Sequence, residues 1–411
     1  MIATTPFTTG FLLALPNGPR YLFFKRTEGQ MYLTNQDVVE LTAWRRKLHA
    51  MPEVSGQEVA TAAEVQAFLA GTAPDQVLSS LGGTGVAAVF NGSEGGPTVL
   101  FRAELDALPI EELSDLPHRS RLPGKGHMCG HDGHTATVAA LARGFARQRP
   151  KRGRVVLLFQ PAEETGAGAA AVIADQRFAE IRPDFAFSLH NLPGLPLGHV
   201  WLKEGIANCA SRGLKITLTG KTAHASAPET GTSPMRAIAS LMPALTDLSR
   251  GTVASGDLVL ATVGHARIGE AAFGIAPAHG ELWVTLRTTT DDRMQALVDA
   301  AEGLAKTAAD TNGLQLEMSY HEIFSHCDNK GEAVAELRAA LDAEAIPHEE
   351  GAALRASEDF GRFGAVSKSA MFYLGAGENH PALHNPDYDY PDDLIPLGAR
   401  IFMRTARNIL G

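Results

Sequence analysis

The sequence predicts an α/β fold: a mostly parallel sheet covered by helices, interrupted by an inserted α+β segment of ferredoxin-like pattern. Three observations predict it. Short all-apolar runs that read as buried strands alternate with helical runs through the first half of the chain. Between about Cys209 and Ser319 half-exposed strands take over, and the first pattern then returns. The length of 411 residues fits two or three domains at roughly 150 residues each.

Each element has a local reason. In 1–30, Gly10, Pro16, Gly18 and Pro19 interrupt any period, so this stretch reads as an N-terminal extension without assigned role, with Met31 as an alternative start. Asn35 reads as a helix cap, followed by Val38, Val39, Leu41, Trp44 and Leu48 at helical spacing; 57–70 repeats the pattern. Strands are expected at 85–90 and 98–101, a helix at 134–148, a strand at 154–159, a small-residue helix at 167–173 and a strand at 184–189. In the insert, 214–219 alternates as a strand, and Ser233 with Pro234 opens a helix to about 248. Strands near 257–264 and 280–289, a helix at 291–309 and a strand near 314–319 complete strand–helix–strand–strand–helix–strand. A helix at 333–341, a strand at 370–374 and a last helix ending at Leu410 follow. The expected division is 1–30, 31–207, 208–319 and 320–411, with the second and fourth parts forming one catalytic domain.

Composition narrows the function classes. With 45% hydrophobic and 20% charged residues the chain can bury a core, which excludes wholesale disorder. The net charge of −10 argues against nucleic acid or an anionic membrane as the main partner. Three cysteines, Cys129, Cys209 and Cys327, are too few for a disulfide framework and fit a reducing compartment. No apolar run reaches the ~18 residues of a membrane span. The run 11–16 lacks the basic residue and cleavage site of a signal peptide, so a cytoplasmic location is expected.

Three predicted strands run straight into ionisable clusters: 98–101 into Arg102–Asp106, 154–159 into Glu163 and Glu164, and 184–189 into His190. Ligands of open α/β sheets bind outside the carboxyl ends of the strands, so these residues fall where an active site is expected. The densest cluster is His127-Met-Cys129-Gly-His131-Asp-Gly-His134. Thiolate and imidazole suit zinc-like ions, and Gly130 permits the tight backbone path that lets Cys129 and His131 serve one ion or two adjacent ones. A lone Cys-x-His is more often a buried thiol beside capping histidines, but three histidines, a thiol and an aspartate within eight residues reverse that balance. Asp132 is placed to orient an imidazole.

Glu163 and Glu164 repel each other unless a cation or a proton intervenes, so one can ligate a metal while the other acts as general base. Such pairs are usually solvated loops; the all-apolar 155–159 run before them weighs against that here. His190, a third strand-end group, reads as a ligand, and the Pro-rich loop around His380 and His384 offers two further candidates between which the residues alone do not choose. His49 ends a helix, where an imidazolium meets the dipole favourably, and reads as structural. His224 lies in the insert, far from the rest, with an exposed loop histidine as its plain alternative. No Gly-x-Ser-x-Gly elbow and no phosphate-binding glycine loop is present. Cys129 as a thiol nucleophile would leave Glu163, Glu164, His190 and His384 without a task.

From about Gln36 to Gly411 the chain resembles the dinuclear metal amidohydrolases of the aminoacylase and carboxypeptidase-G type, nearest the hippurate hydrolase and indole-acetyl-amino-acid hydrolase branch. The motifs that carry this are Arg46-Lys-Leu-His49-Ala-Met-Pro-Glu53, Arg102-Ala-Glu-Leu-Asp106-Ala-Leu-Pro109, Cys129-Gly-His131-Asp-Gly-His134, Gln160-Pro-Ala-Glu163-Glu164, Leu189-His190-Asn, Gly220-Lys-Thr-Ala-His224, Ser357-Glu-Asp-Phe360 and Leu383-His384-Asn-Pro. The resemblance implies Cys129, His131, Glu164, His190 and His384 as ligands of two divalent ions, zinc first, with manganese, cobalt or nickel as alternatives. It implies Glu163 as general base and counts Asp106 and His224 among the catalytic residues. It further implies that the insert is a lid and dimerisation domain, giving a homodimer or homotetramer in which His224 reaches the partner's active site. Glu104 stands where the branch commonly has Asp, Gly274 where it has Asn, and Gly126 and Met128 also depart from the usual context; Gly274 bears on the substrate class.

The expected activity is hydrolysis of the amide of an N-acyl amino acid, hippurate-like or N-acetyl, by a metal-activated water. A dipeptidase or carboxypeptidase on the same scaffold, and a non-catalytic relative without metals, are the competing readings.

Overall fold

The computed structural model describes residues 33–411, and the proposed extension at 1–30 lies outside the described residues. The first helix, α1 (Asn35–His49), is capped by Thr34 rather than Asn35. Thr34 Oγ1 accepts from the Asp37 amide at 3.1 Å and Asp37 Oδ2 accepts from the Thr34 amide at 2.7 Å, a reciprocal capping box. Then come α2 (Val59–Ala70), β1 (Gln76–Leu81), β2 (Gly85–Asn91), β3 (Glu94–Glu104), α3 (His131–Arg147), β4 (Arg152–Gln160), α4 (Gly168–Ala174), β5 (Phe185–Pro193) and β6 (Val200–Trp201). β1 has no counterpart in the sequence reading because its two buried residues, Leu78 and Leu81, stand three apart in QVLSSL and break the alternation of a strand. β5 runs past the expected end, so His190 and Asn191 sit within the strand.

β7 (Gly205–Asn208) leads into β8 (Ala210–Thr219), β9 (Ala223–His224), α5 (Met235–Thr246), β10 (Val259–Ile268), β11 (Ile275–Ala276), β12 (His279–Thr288), α6 (Asp291–Asn312) and β13 (Gln315–Phe324). β14 (Cys327–Asn329) pairs antiparallel with β7, so the chain enters and leaves this segment side by side. The last elements are α7 (Gly331–Ala343), β15 (His348–Glu349), the 3-10 turn Asp359–Ala365, β16 (Lys368–Gly377) and α8 (Leu394–Leu410).

The large sheet has the order β1-β2-β4-β3-β5-β16-β6-β15. Its four central strands, β4, β3, β5 and β16, are mutually parallel, with antiparallel additions at β1, β2 and β6. Alternation along β4 shows why it is buried on both faces. Val155, Leu157 and Phe159 join the core under α1, α2, α3, α7 and α8, while Val156 and Leu158 join the opposite core under α4 and the 3-10 turn. The second sheet, β10-β12-β8-β13, is antiparallel throughout and packs one face on α5 and α6 with a core of its own, including Leu214, Ile216, Leu241 and Leu282. That order is the ferredoxin-like one. Among the described residues no helix is long and apolar enough to cross a membrane.

Candidate metal centre

β4 lies on one side of β3 and β5 on the other, so the strand order reverses at β3. β3 and β5 pair only over Val99–Phe101 and Phe185–Phe187, opening a crevice beyond their carboxyl ends. The candidate residues converge there. Asp106 follows β3; its Oδ2 accepts from Ser55 Oγ at 2.7 Å and from the Glu164 amide at 3.0 Å. His131 opens α3 directly after Gly130, whose φ of 88° provides the left-handed step between Cys129 and His131. His131 Nδ1 donates to the Asp106 carbonyl at 2.9 Å, which turns Nε2 toward the crevice.

On the far side His190 Nδ1 donates to the Asn191 carbonyl at 2.8 Å, and its Nε2 lies 3.5 Å from Cys129 Sγ. Glu163 and Glu164 follow β4 through Ala162, itself at φ 50°, and each places an oxygen 3.9 Å from His131 Nε2. His384 Nε2 lies 3.9 Å from Glu164 Oε1. His384 is held at φ 67° while its amide donates to the Met128 carbonyl at 2.8 Å. That left-handed conformation costs on the order of 1 kcal/mol and so needs the surrounding packing to enforce it.

The candidate ligand atoms fall into two triads that share the thiol: Cys129, His131 and His190, and Cys129, Glu164 and His384, with the atoms of each within 4.8 Å of one another. His131 Nε2 and Glu164 Oε1 are buried without a hydrogen bond among the described residues, as ligands facing a cation are left. Thiol, imidazole and carboxylate are also the donor types that divalent zinc-like ions take, so the residues fit a pair of ions. Burial, then Glu164 and Glu163, push the Cys129 thiol well above its ordinary pKa. A thiol so protonated is a poor free nucleophile. Burial raises Glu163 as well, helped by Glu358 and Glu164, and burial takes Glu164 to about 7. Burial and then His134 push His190 down to about 3.

Supporting residues surround the cluster. Arg102, fully buried, meets Glu104, lies 2.9 Å from Glu358 Oε1 and donates to Asp359 Oδ1 at 2.5 Å. The Asp359 amide donates to Glu163 Oε1 at 3.3 Å, and Gln160 Nε2 donates to both Asp359 oxygens. His134 is held between Glu104 Oε2 at 2.7 Å and Asn191 Oδ1 at 2.5 Å. The sequence reading quoted Glu358 and Asp359 within a motif but gave them no task; only the fold shows that the amide of one aims at Glu163. His49 ends α1 as expected, and it is also a buried partner of Asp132 and Glu112. His380 Nε2 donates to the Asp389 carbonyl at 2.6 Å, outside the triads. His224 is exposed on β9, its Nδ1 accepting from Ser226, and joins none of the ligand clusters found among the described residues.

The chain is similar to known proteins along most of its length. Residues 100–408 match the family described as peptidase family M20/M25/M40. A hippurate hydrolase of Campylobacter jejuni is 30% identical over 369 residues, covering 89% of this chain and 95% of the relative. An N-acetylcysteine deacetylase of Bacillus subtilis is 29% identical, covering 89% and 96%. A solved Bacillus subtilis structure, described as a dinuclear metal binding peptidase from the M20 family, superposes with a TM-score of 0.77 at 26% identity and covers 92% of this chain and 99% of that one.

Proposed function

Because the chain belongs to peptidase family M20/M25/M40, we propose that it hydrolyses the amide bond of N-acyl amino acids, releasing a carboxylic acid and a free amino acid. The observation that carries this reading is the pair of triads sharing Cys129 beside Glu163, a carboxylate outside both. Cys129, His131, Glu164, His190 and His384 would hold two divalent ions, zinc first among them given the thiol and imidazoles. Such ions, when bound, supply Lewis acidity that polarises the amide carbonyl and acidifies water.

The chain's own groups supply the rest. Glu163 takes the proton of the attacking water as its oxygen bonds to the carbonyl carbon. The same carboxyl then delivers that proton to the amide nitrogen as the carbon–nitrogen bond breaks, so the base is restored and the products balance. Asp106 orients His131 through its backbone carbonyl, with Oδ1 at 3.4 Å. The Asp359 amide fixes the position of Glu163.

The segment 208–319 is proposed as a lid and dimerisation domain. The exposure of His224 within one chain supports its donation to the site of a second copy, where it would steady the oxyanion. Three buried cysteines without a disulfide fit a cytoplasmic setting. The test is a panel of N-benzoyl-, N-acetyl- and aminoacyl-amino acids offered to the metal-loaded protein. Cleavage of the first two classes is expected, and cleavage of aminoacyl substrates alone would overturn the assignment in favour of a dipeptidase.

A further inference from the structure

A cavity of about 460 Å³ lies where the chain returns from the second sheet to the large one, and it shares no residue with the two ligand triads. Its walls come from α4, the start of α6, the connection 325–330 around β14, and the 3-10 turn Asp359–Ala365. Ile173 and Val366 contribute to an apolar part, and Asp291, His326, Asp328, Lys330 and Arg362 to a charged part.

Four of these five charged groups satisfy one another. Lys330 Nζ donates to Asp328 Oδ2 at 2.5 Å. His326 Nδ1 lies 3.3 Å from Asp291 Oδ2, and the His326 amide donates to Asp291 Oδ1 at 3.1 Å. The hydrogen bond to Asp291 raises the His326 imidazole above its ordinary pKa, favouring its charged form. Arg362 is the exception. One of its terminal nitrogens, Nη2, donates to the Ile323 carbonyl at 3.1 Å, but the buried Nε makes no hydrogen bond among the described residues. Among the described residues no carboxylate pairs with Arg362, the one residue of the five with a donor left over. An unpaired buried donor is costly, and a carboxylate is the partner that matches a guanidinium edge best. The volume falls in the ~300–1,000 Å³ range typical of small-molecule sites.

We propose that this cavity is a second binding site, taking a small monocarboxylate with an apolar tail, the carboxylate on Arg362 and the tail against Ile173 and Val366. Its occupant would touch the two segments that hold the catalytic carboxylates. α4 begins shortly after Glu164, and the 3-10 turn begins with Asp359, whose Oδ2 accepts from the Ala169 amide at 2.8 Å while its own amide donates to Glu163. Binding there is thus placed to modulate the catalytic loop from behind.

The test is calorimetric titration of the metal-loaded full chain with benzoate, with glycine and inorganic phosphate as separate arms; it reads binding and does not depend on turnover or on the proposed activity. Arg362→Met removes the charge at similar length, and Ala365→Trp fills the cavity from an exposed lining position without removing a charged group. The wild type is expected to bind one more equivalent of benzoate per chain than Ala365→Trp does, and Arg362→Met to weaken that equivalent ~10-fold or more. Glycine, whose ammonium would meet the apolar wall, is expected not to bind there. Equal stoichiometry and affinity for benzoate in all three proteins would overturn the proposal. So would a site that takes phosphate or glycine but not benzoate. If Arg362→Met fails to fold, the Ala365→Trp titration alone decides.

Discussion

His49 Nδ1 donates to Asp132 Oδ2 across 2.9 Å, with both side chains buried and Asp132 directly following the proposed ligand His131. The same carboxylate oxygen lies 3.3 Å from Arg45 Nη1. Burial alone would depress the imidazole, but Asp132 outweighs it and raises His49 from 6.5 to about 9. The folded protein therefore holds this proton at pH values where the unfolded chain has lost it. The resulting stabilisation is complete below about pH 6.5 and fades as pH rises through about 9.

Its size is on the order of 3 kcal/mol. Denaturant titrations at pH 6 and pH 9.5 are expected to show the wild type losing more stability than His49→Gln over that interval. Equal losses in the two proteins would show that His49 is not charged in the folded state.

Arg102 is the counter-ion of a fully buried acidic group comprising Glu104, Glu358 and Asp359. Removing one partner of a buried pair leaves uncompensated charge, so Arg102→Met is expected to lose about 3–5 kcal/mol. Arg102→Lys should recover only part of it, because an ammonium cannot serve several carboxylates with the geometry of a guanidinium fork. Chemical denaturation of the three proteins measures this directly, and a fully stable Arg102→Met would refute the counter-ion role.

Gly133 lies in the first turn of α3 with the Tyr390 ring against it; an added Cβ would lie 2.1 Å from that ring. Gly133→Ala improves helix propensity by about 1 kcal/mol yet forces the ring or the helix to move, which typically costs about 1–3 kcal/mol. The expected outcome is a lower Tm together with weaker metal retention, since the same turn carries His131 and His134. A Tm at or above that of the wild type would mean the ring yields freely.

Glu163→Gln keeps the shape of the side chain but not its basicity. Turnover is expected to fall by about 10²–10⁴, the usual contribution of a positioned general base, while elemental analysis finds the wild-type metal content. Normal hydrolysis of hippurate by this variant would remove Glu163 from the mechanism.

Much of this architecture was legible because its signals are local. The all-apolar β4 run, the Cys129-Gly-His131 turn and the insert's strand and helix order each depend on neighbours in sequence. What escaped notice depends on distant partners or on weak pattern. The buried residues of β1, Leu78 and Leu81, are three apart across a register shift, so no alternation marks it. His49 does end α1, but nothing near it in sequence reveals its partner Asp132, 83 residues away. The residues alone left His380 and His384 equivalent, and the resemblance was needed to choose. The fold separates them by the left-handed backbone of His384 and its bond to Met128. Thr34 took the cap from Asn35 because only Thr34 has an acidic residue three positions on to complete the box.

The central claim is that two triads sharing Cys129 hold a pair of divalent ions beside Glu163. The most direct measurement is elemental analysis of the purified protein alongside its Cys129→Ala variant, each assayed with an N-acyl amino acid before and after chelation. The account predicts about two divalent ions per chain, activity lost on chelation and restored by adding metal, and depletion of both ions in the variant. Full activity in a metal-free protein, or unchanged metal content without Cys129, would contradict it.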